Sequence, residues 1–143
     1  GESLKVFTKE IHKFCQAEEG SSELAEFVRP LAKLNAEWGE LTMSIGMKAM
    51  SDREEVGAAS VDYLMYSGYV TLAYLFARAA KQARLALAEG SDEAAFYRAK
   101  LDTARFFFQR LVPRTRTHKA AIEAGAESLM AISAEDFGLG FEI

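Results

Sequence analysis

Two histidines, one cysteine and several pairs of carboxylates are the side chains here whose types could carry chemistry. A di-metal centre in a helical protein needs Glu-x-x-His pairs projecting into one core, and neither His12 nor His118 stands three residues after a Glu. Each histidine therefore reads as a surface or packing residue, and no metal is expected. No plausible activating base is read for Cys15 in the surrounding pattern, and it is most simply a small apolar side chain. As the sole cysteine it forms no intramolecular disulfide, and a reducing, cytoplasmic setting is the default. The pairs Glu37 and Glu40, Glu54 and Glu55, and Glu123 and Glu127 have the spacing of a solvated helix face, with no neighbour to shift a pKa, so no catalytic role is assigned to them. Gly138-x-Gly140 does not lie between a strand and a helix, so it is no dinucleotide fingerprint, and the nucleophile elbow is absent.

The sharpest charge feature runs from Arg98 to Lys119. Seven basic residues (Arg98, Lys100, Arg105, Arg110, Arg114, Arg116 and Lys119) stand there against one acid, Asp102, whereas the chain from Ala120 onward has five acids and no Lys or Arg. On a continuous helix Arg110, Arg114 and His118 share a face. Such a face could seat a phosphate group or an acidic partner. It could also answer acidic residues of the same bundle or of a neighbouring domain, which is the simpler reading. Phe106, Phe107 and Phe108 cannot all face one core, so at least one points to a second surface unless the short first helix buries them. The candidate interface is accordingly Arg105, Arg110, Arg114 and Arg116 with Phe106 and Phe107. Aromatics cluster a second time at Tyr63, Tyr66, Tyr69, Tyr74 and Phe76.

These residues must be positioned by helices. Two prolines, abundant Ala, Leu, Glu, Lys and Arg, and no alternating β-branched runs predict an all-α chain. Three polar breaks divide it: Glu19-Gly20-Ser21-Ser22, Ser51-Asp52-Arg53 and Gly90-Ser91-Asp92. At the first, Gly20 in a left-handed conformation and a Ser21 or Ser22 cap are expected; the second holds the capping-box pattern Ser51-x-x-Glu54; at the third, Gly90 ends a helix. The helices run from about Ser3 to Glu18, Ser22 to Met50, Arg53 to Glu89 and Asp92 to Ile132. Loops this short give antiparallel neighbours, an up-down four-helix bundle with one shorter helix. Kinks are expected near Pro30 and Pro113. The bundle domain spans 1–137, followed by a tail, 138–143.

On the third helix Val61, Leu64, Met65, Gly68, Leu72, Leu75, Ala79 and Ala83 recur at three and four residues and read as the core seam. On the fourth, Leu101, Ala104, Phe108, Leu111, Ile122, Gly125 and Leu129 do the same. Gly39 and Gly46 on the second predict a close backbone approach.

The chain has 143 residues, half of them apolar, and a net charge of −4. That is enough for one domain with a real core, and the balance argues against a nucleic-acid binder. The longest uncharged run, Tyr63 to Ala77, is shorter than the ~20 residues of a membrane span. No signal-peptide pattern occurs in the first twenty residues. Opening on Gly1-Glu2-Ser3 without an initiator methionine, the chain reads as a piece of a longer protein.

The order of segments resembles a known pattern: Val61-Asp62-Tyr63-Leu64, Gly68-Tyr69-Val70 and Ala77-Arg78-Ala79-Ala80, then a Gly-Ser-Asp turn, Ala95-Phe96-Tyr97-Arg98-Ala99-Lys100-Leu101, Ala104-Arg105-Phe106-Phe107, Leu111-Val112-Pro113, and Ala124 to Ala131 with Phe137. It is similar to the C-terminal domain of bacterial FAD-dependent acyl-CoA dehydrogenases of the 3-methylmercaptopropionyl-CoA dehydrogenase type. The resemblance implies a longer, homo-oligomeric parent that binds FAD and acyl-CoA, oxidises the acyl-CoA to the 2,3-enoyl-CoA and passes electrons to an electron-transfer flavoprotein. It places the catalytic glutamate and the flavin-binding motifs upstream, so no catalytic or cofactor-binding residue is carried over to this chain. A structural, assembly role is the leading expectation. The alternatives are a free-standing interaction module, or a bundle that binds an acyl ligand among its aromatics.

Overall fold

The structure, a computed structural model, describes residues 2–126; within them every regular element is helical and no strand occurs. Helix α1 spans Glu2–Glu18, α2 Ala25–Ala49 and α3 Arg53–Ala88. Helix α4, Ala94–Phe106, passes into a π-helical turn at Phe107–Leu111 and a 3-10 turn at Val112–Arg114 before α5, Thr115–Ala124. The fourth helix expected from Asp92 to Ile132 is thus helical without interruption from Ala94 to Ala124 but changes type at Phe107 and Val112, and its last residues, together with Glu127, Leu129, Gly138, Gly140 and the tail, lie outside the described residues.

The breaks use different chemistry from that expected. Gly20 is not left-handed, and no side chain caps α2; the Ser21 carbonyl accepts from the Leu24 amide in a turn, which moves the helix start from Ser22 to Ala25. Asp52, not Ser51, caps α3, its carboxylate accepting from the Glu54 amide at 2.9 Å. Gly90 does adopt φ +75°, and the amides of Ser91 and Gly90 reach back to the carbonyls of Ala86 and Leu87. This paired closure satisfies two of the end carbonyls of α3 and needs a left-handed residue.

Neighbouring helices are held in register by polar contacts between their walls. The Asn35 amide donates to the Thr8 carbonyl at 2.9 Å, joining α2 to α1. Trp38 Nε1 donates to Ser67 Oγ at 2.9 Å and Thr42 Oγ1 lies 2.6 Å from the Tyr63 hydroxyl, so numbers rise along α2 as they fall along α3. His118 against Asp62 and the Ala126 amide against Glu55 do the same for α5 and α3.

The core face of α3 is the reverse of the one expected. Ala59, Tyr66, Val70, Ala73, Tyr74, Ala77, Ala80 and Ala83 are buried, while Val61, Leu64, Met65, Leu72 and Leu75 are exposed. Of the expected seam only Ala83 lies in the core. The alanines let the helices packed on α3 approach closely, and the Tyr66 hydroxyl finds its partner, Glu37, on α2. Tyr74 meets Phe7 and Phe14 of α1 edge to face, with centroids 5.7 and 5.6 Å away. On the last helices Leu101, Ala104, Phe108 and Ile122 are buried as expected.

Among the described residues nothing packs on the glycines of the outer faces. A Cβ on Gly39, Gly46 or Gly68 would meet none of those residues within 4 Å, so none of them makes the close approach expected at Gly39 and Gly46. Mid-helix glycine costs about 1 kcal/mol relative to alanine.

Because Tyr66 is wholly buried and Leu64 is 71% exposed, we expect Tyr66→Ala to cost about 3–5 kcal/mol of folding stability and Leu64→Ala under about 0.5 kcal/mol in dilute solution. Urea denaturation followed by circular dichroism checks this; equal losses would restore the outer seam as core.

Candidate functional site

Pro113 organises the most irregular helical backbone among the described residues. It has no amide to donate to the carbonyl four residues back, and its ring crowds that carbonyl. The chain answers with the wider π turn at Phe107–Leu111 and restarts as a 3-10 turn with the proline in its first positions, where the missing donor costs nothing. Pro30, by contrast, sits within α2, which stays α-helical from Ala25 to Ala49.

Both prolines line one cleft of about 520 Å³ between α2 and the segment from Phe108 to Glu123. Its walls are apolar at Leu34, Phe108 and Val112 and charged at Lys33, Glu37, Arg116, Lys119 and Glu123. Lys119 stands 3.8 Å from Glu37 and 3.7 Å from Glu123, and Glu37 accepts the Tyr66 hydroxyl at 2.8 Å. Burial, and then the Glu37 carboxylate, push the Tyr66 phenol far above its ordinary range. It is thus a fixed donor. Burial also pushes the Cys15 thiol up to about 11, in keeping with an unreactive packing residue.

The six residues of the expected interface separate. Arg105 is committed to the bundle: its Nε donates to Glu26 Oε1 at 2.8 Å, and Asp102 lies 3.4 Å from Nη1. Phe107 is buried, stacked on Phe76 at 4.7 Å and tilted against Tyr69, so it is no surface residue. Phe108 packs on Phe27 of α2, not on the first helix. Phe106 is 59% exposed, and Arg110, Arg114 and Arg116 are exposed without an ion pair among the described residues. The π and 3-10 turns abolish the regular 100° step on which a shared face for Arg110, Arg114 and His118 depended. His118 instead turns toward α3, Nδ1 2.9 Å from Asp62 Oδ1 and its ring tilted over Tyr69.

The arrangement clamps helices together. Of these side-chain contacts, Asp62–His118, Glu26–Arg105 and Tyr66–Glu37 each cross between two helices. Sequence reading missed the Tyr66–Glu37–Lys119 chain, because nothing in the spacing of residues 37, 66 and 119 brings them together. Among the described residues no group of three or more His, Cys, Asp or Glu side chains is placed to hold a metal, and no helix is long and apolar enough to cross a membrane.

Compared with protein families, the chain matches the one described as Acetyl-CoA dehydrogenase C-terminal like over residues 7–133, most of its length. No curated protein matches it.

Tyr66 and Cys15 hold their protons more tightly folded than unfolded, so their contribution to stability is whole below about pH 9, the unfolded thiol's value, and is lost as pH rises beyond it. Glu37→Gln removes the negative charge that adds to burial, the largest single cause, at Tyr66. We expect ultraviolet titration of phenolate formation to show one tyrosine ionising earlier in that variant, yet still above pH 10, the ordinary value. An unchanged titration would show that Glu37 does not act on Tyr66.

Proposed function

The chain belongs to the family described as Acetyl-CoA dehydrogenase C-terminal like, and from that premise we propose that it is the helical C-terminal domain of an FAD-dependent acyl-CoA dehydrogenase. Within that class the motif order favours the subgroup that includes 3-methylmercaptopropionyl-CoA dehydrogenase. The parent is a cytoplasmic, homo-oligomeric enzyme that converts acyl-CoA to 2,3-enoyl-CoA and hands electrons to an electron-transfer flavoprotein. The role of this domain, taken as an up-down bundle, is packing and subunit assembly.

The observation that carries this reading is the use made of polar groups. Asn35, Trp38, Thr42, Tyr66, Arg105 and His118 each bond across to a neighbouring helix, as a rigid spacer requires. Charged groups of the cleft also partner one another, Lys119 standing 3.8 Å from Glu37 and 3.7 Å from Glu123. On this reading FAD and the acyl-CoA bind other parts of the parent, and no catalytic step is assigned to residues of this chain.

Mixed with FAD, acyl-CoA esters and an artificial electron acceptor, the purified chain is expected to give no dye reduction and no saturable heat of acyl-CoA binding in calorimetry. Turnover would overturn the assembly reading. Saturable binding would replace it with an acyl-ligand bundle.

A further inference from the structure

The outer face of α3 remains after the core and the cleft have taken their residues. Gly57, Val61, Leu64, Met65, Gly68, Leu72, Leu75 and Ala79 fall within one stripe at helical spacing, without a charge between Gly57 and Ala79 on that face. Val61 is 70% exposed, Leu64 71% and Leu75 51%, with Met65 and Leu72 both at 44%. The stripe is ~33 Å long at 1.5 Å per residue.

Its order is symmetric about Gly68. Four residues to either side stand Leu64 and Leu72, seven to either side Val61 and Leu75, and eleven to either side the small residues Gly57 and Ala79. A two-fold pair of antiparallel α3 helices crossing at Gly68 would place Leu64 against Leu72 and Val61 against Leu75, twice each. This is the self-complementarity that an isologous interface demands. At the crossing point the facing residue is glycine, and a Cβ there would meet none of the described residues within 4 Å. A second backbone crossing there would meet no side chain in its way. Antiparallel pairing also opposes the two helix dipoles.

We propose that the Gly57–Ala79 face of α3 is the docking surface for a second copy of this chain, in an antiparallel two-fold pair centred on Gly68. The five large side chains expose on the order of 500 Å² per copy, so a pair buries about 1,000 Å², the lower bound of a specific interface. The outer face of α2, with Met43 and Met47 exposed, lacks this symmetry and serves as a control. The proposal deepens the assembly reading, on which it rests, by naming the partner and the surface.

Light scattering and sedimentation of the 143-residue chain test it first. At about 100 µM a species of twice the 15.8 kDa monomer is expected. Leu64→Asp, which enters a two-fold interface twice, raises the dissociation constant at least about a hundredfold, with unchanged helical circular dichroism, and Met43→Asp does not. Oxidative crosslinking then reads the register. Gly68→Cys crosslinks to itself; Val61→Cys does not, but crosslinks when mixed with Leu75→Cys. The lone native thiol, buried Cys15, stays silent. Self-crosslinking of Val61→Cys, or a dimer indifferent to Leu64→Asp, would overturn the proposed surface while leaving the assembly reading intact. A monomeric chain would overturn it too. Removal of residues 127–143 would then tell whether they occupy the face, if a dimer appears, or a different polypeptide does, if none appears. Acyl-CoA turnover by the chain, in contrast, would remove the assembly reading itself.

Discussion

The burial of Tyr66 is the constraint on which the rest of the bundle depends. Its ring lies wholly inside and its hydroxyl finds Glu37 on α2, with the Leu34 carbonyl 3.4 Å away. An unpaired phenol at that depth would cost a desolvation penalty that a small domain can ill sustain. Glu37 must therefore face inward and be partly desolvated, and Lys119 of α5 comes to it from the other side. The rotation of α2 and α3 about their axes and the seat of α5 follow from one hydroxyl. Alanine at 73, 77, 80 and 83 then lets the surrounding helices close on α3.

That rotation explains why the hydropathy of α3 misleads. Apolar residues line both of its sides, and periodicity reports a spacing of three and four without saying which of two stripes turns inward. Leucine, methionine and valine are the stronger hydrophobes, yet the Ala and Tyr stripe is the one whose volume and hydroxyls suit close neighbours. On the last helices the signal was single-sided, and Leu101, Ala104, Phe108 and Ile122 were legible from sequence alone. The helix count before Pro113 and the Gly90 stop were legible for the same reason: each rests on local chemistry. What sequence could not show was the conversion of the backbone upstream of Pro113, where a missing donor is absorbed by a π turn instead of ending the helix.

The candidate surface divides along the same line. Charge density marked the stretch from Arg98 to Lys119, but not which cations have partners. Glu26 is 79 residues from Arg105, and Asp62 is 56 from His118. Tertiary proximity of that range leaves no trace in one sequence. Phe107 sits inside because the π turn carries it toward Phe76 and Tyr69, while Phe106, one residue earlier, stays outside.

The tight closure at Gly90 has a kinetic meaning. By reversing the chain within a few residues, it makes the contacts between α3 and the start of α4 local in sequence, and the Asp52 turn does the same for α2 and α3. Local closure costs little loop entropy, so such a topology lies toward the fast-folding end of single domains. Rapid folding shortens the time for which the Tyr and Ala stripe and the Leu and Met stripe of α3 stand open together, two apolar sides that an extended nascent chain would offer to aggregation.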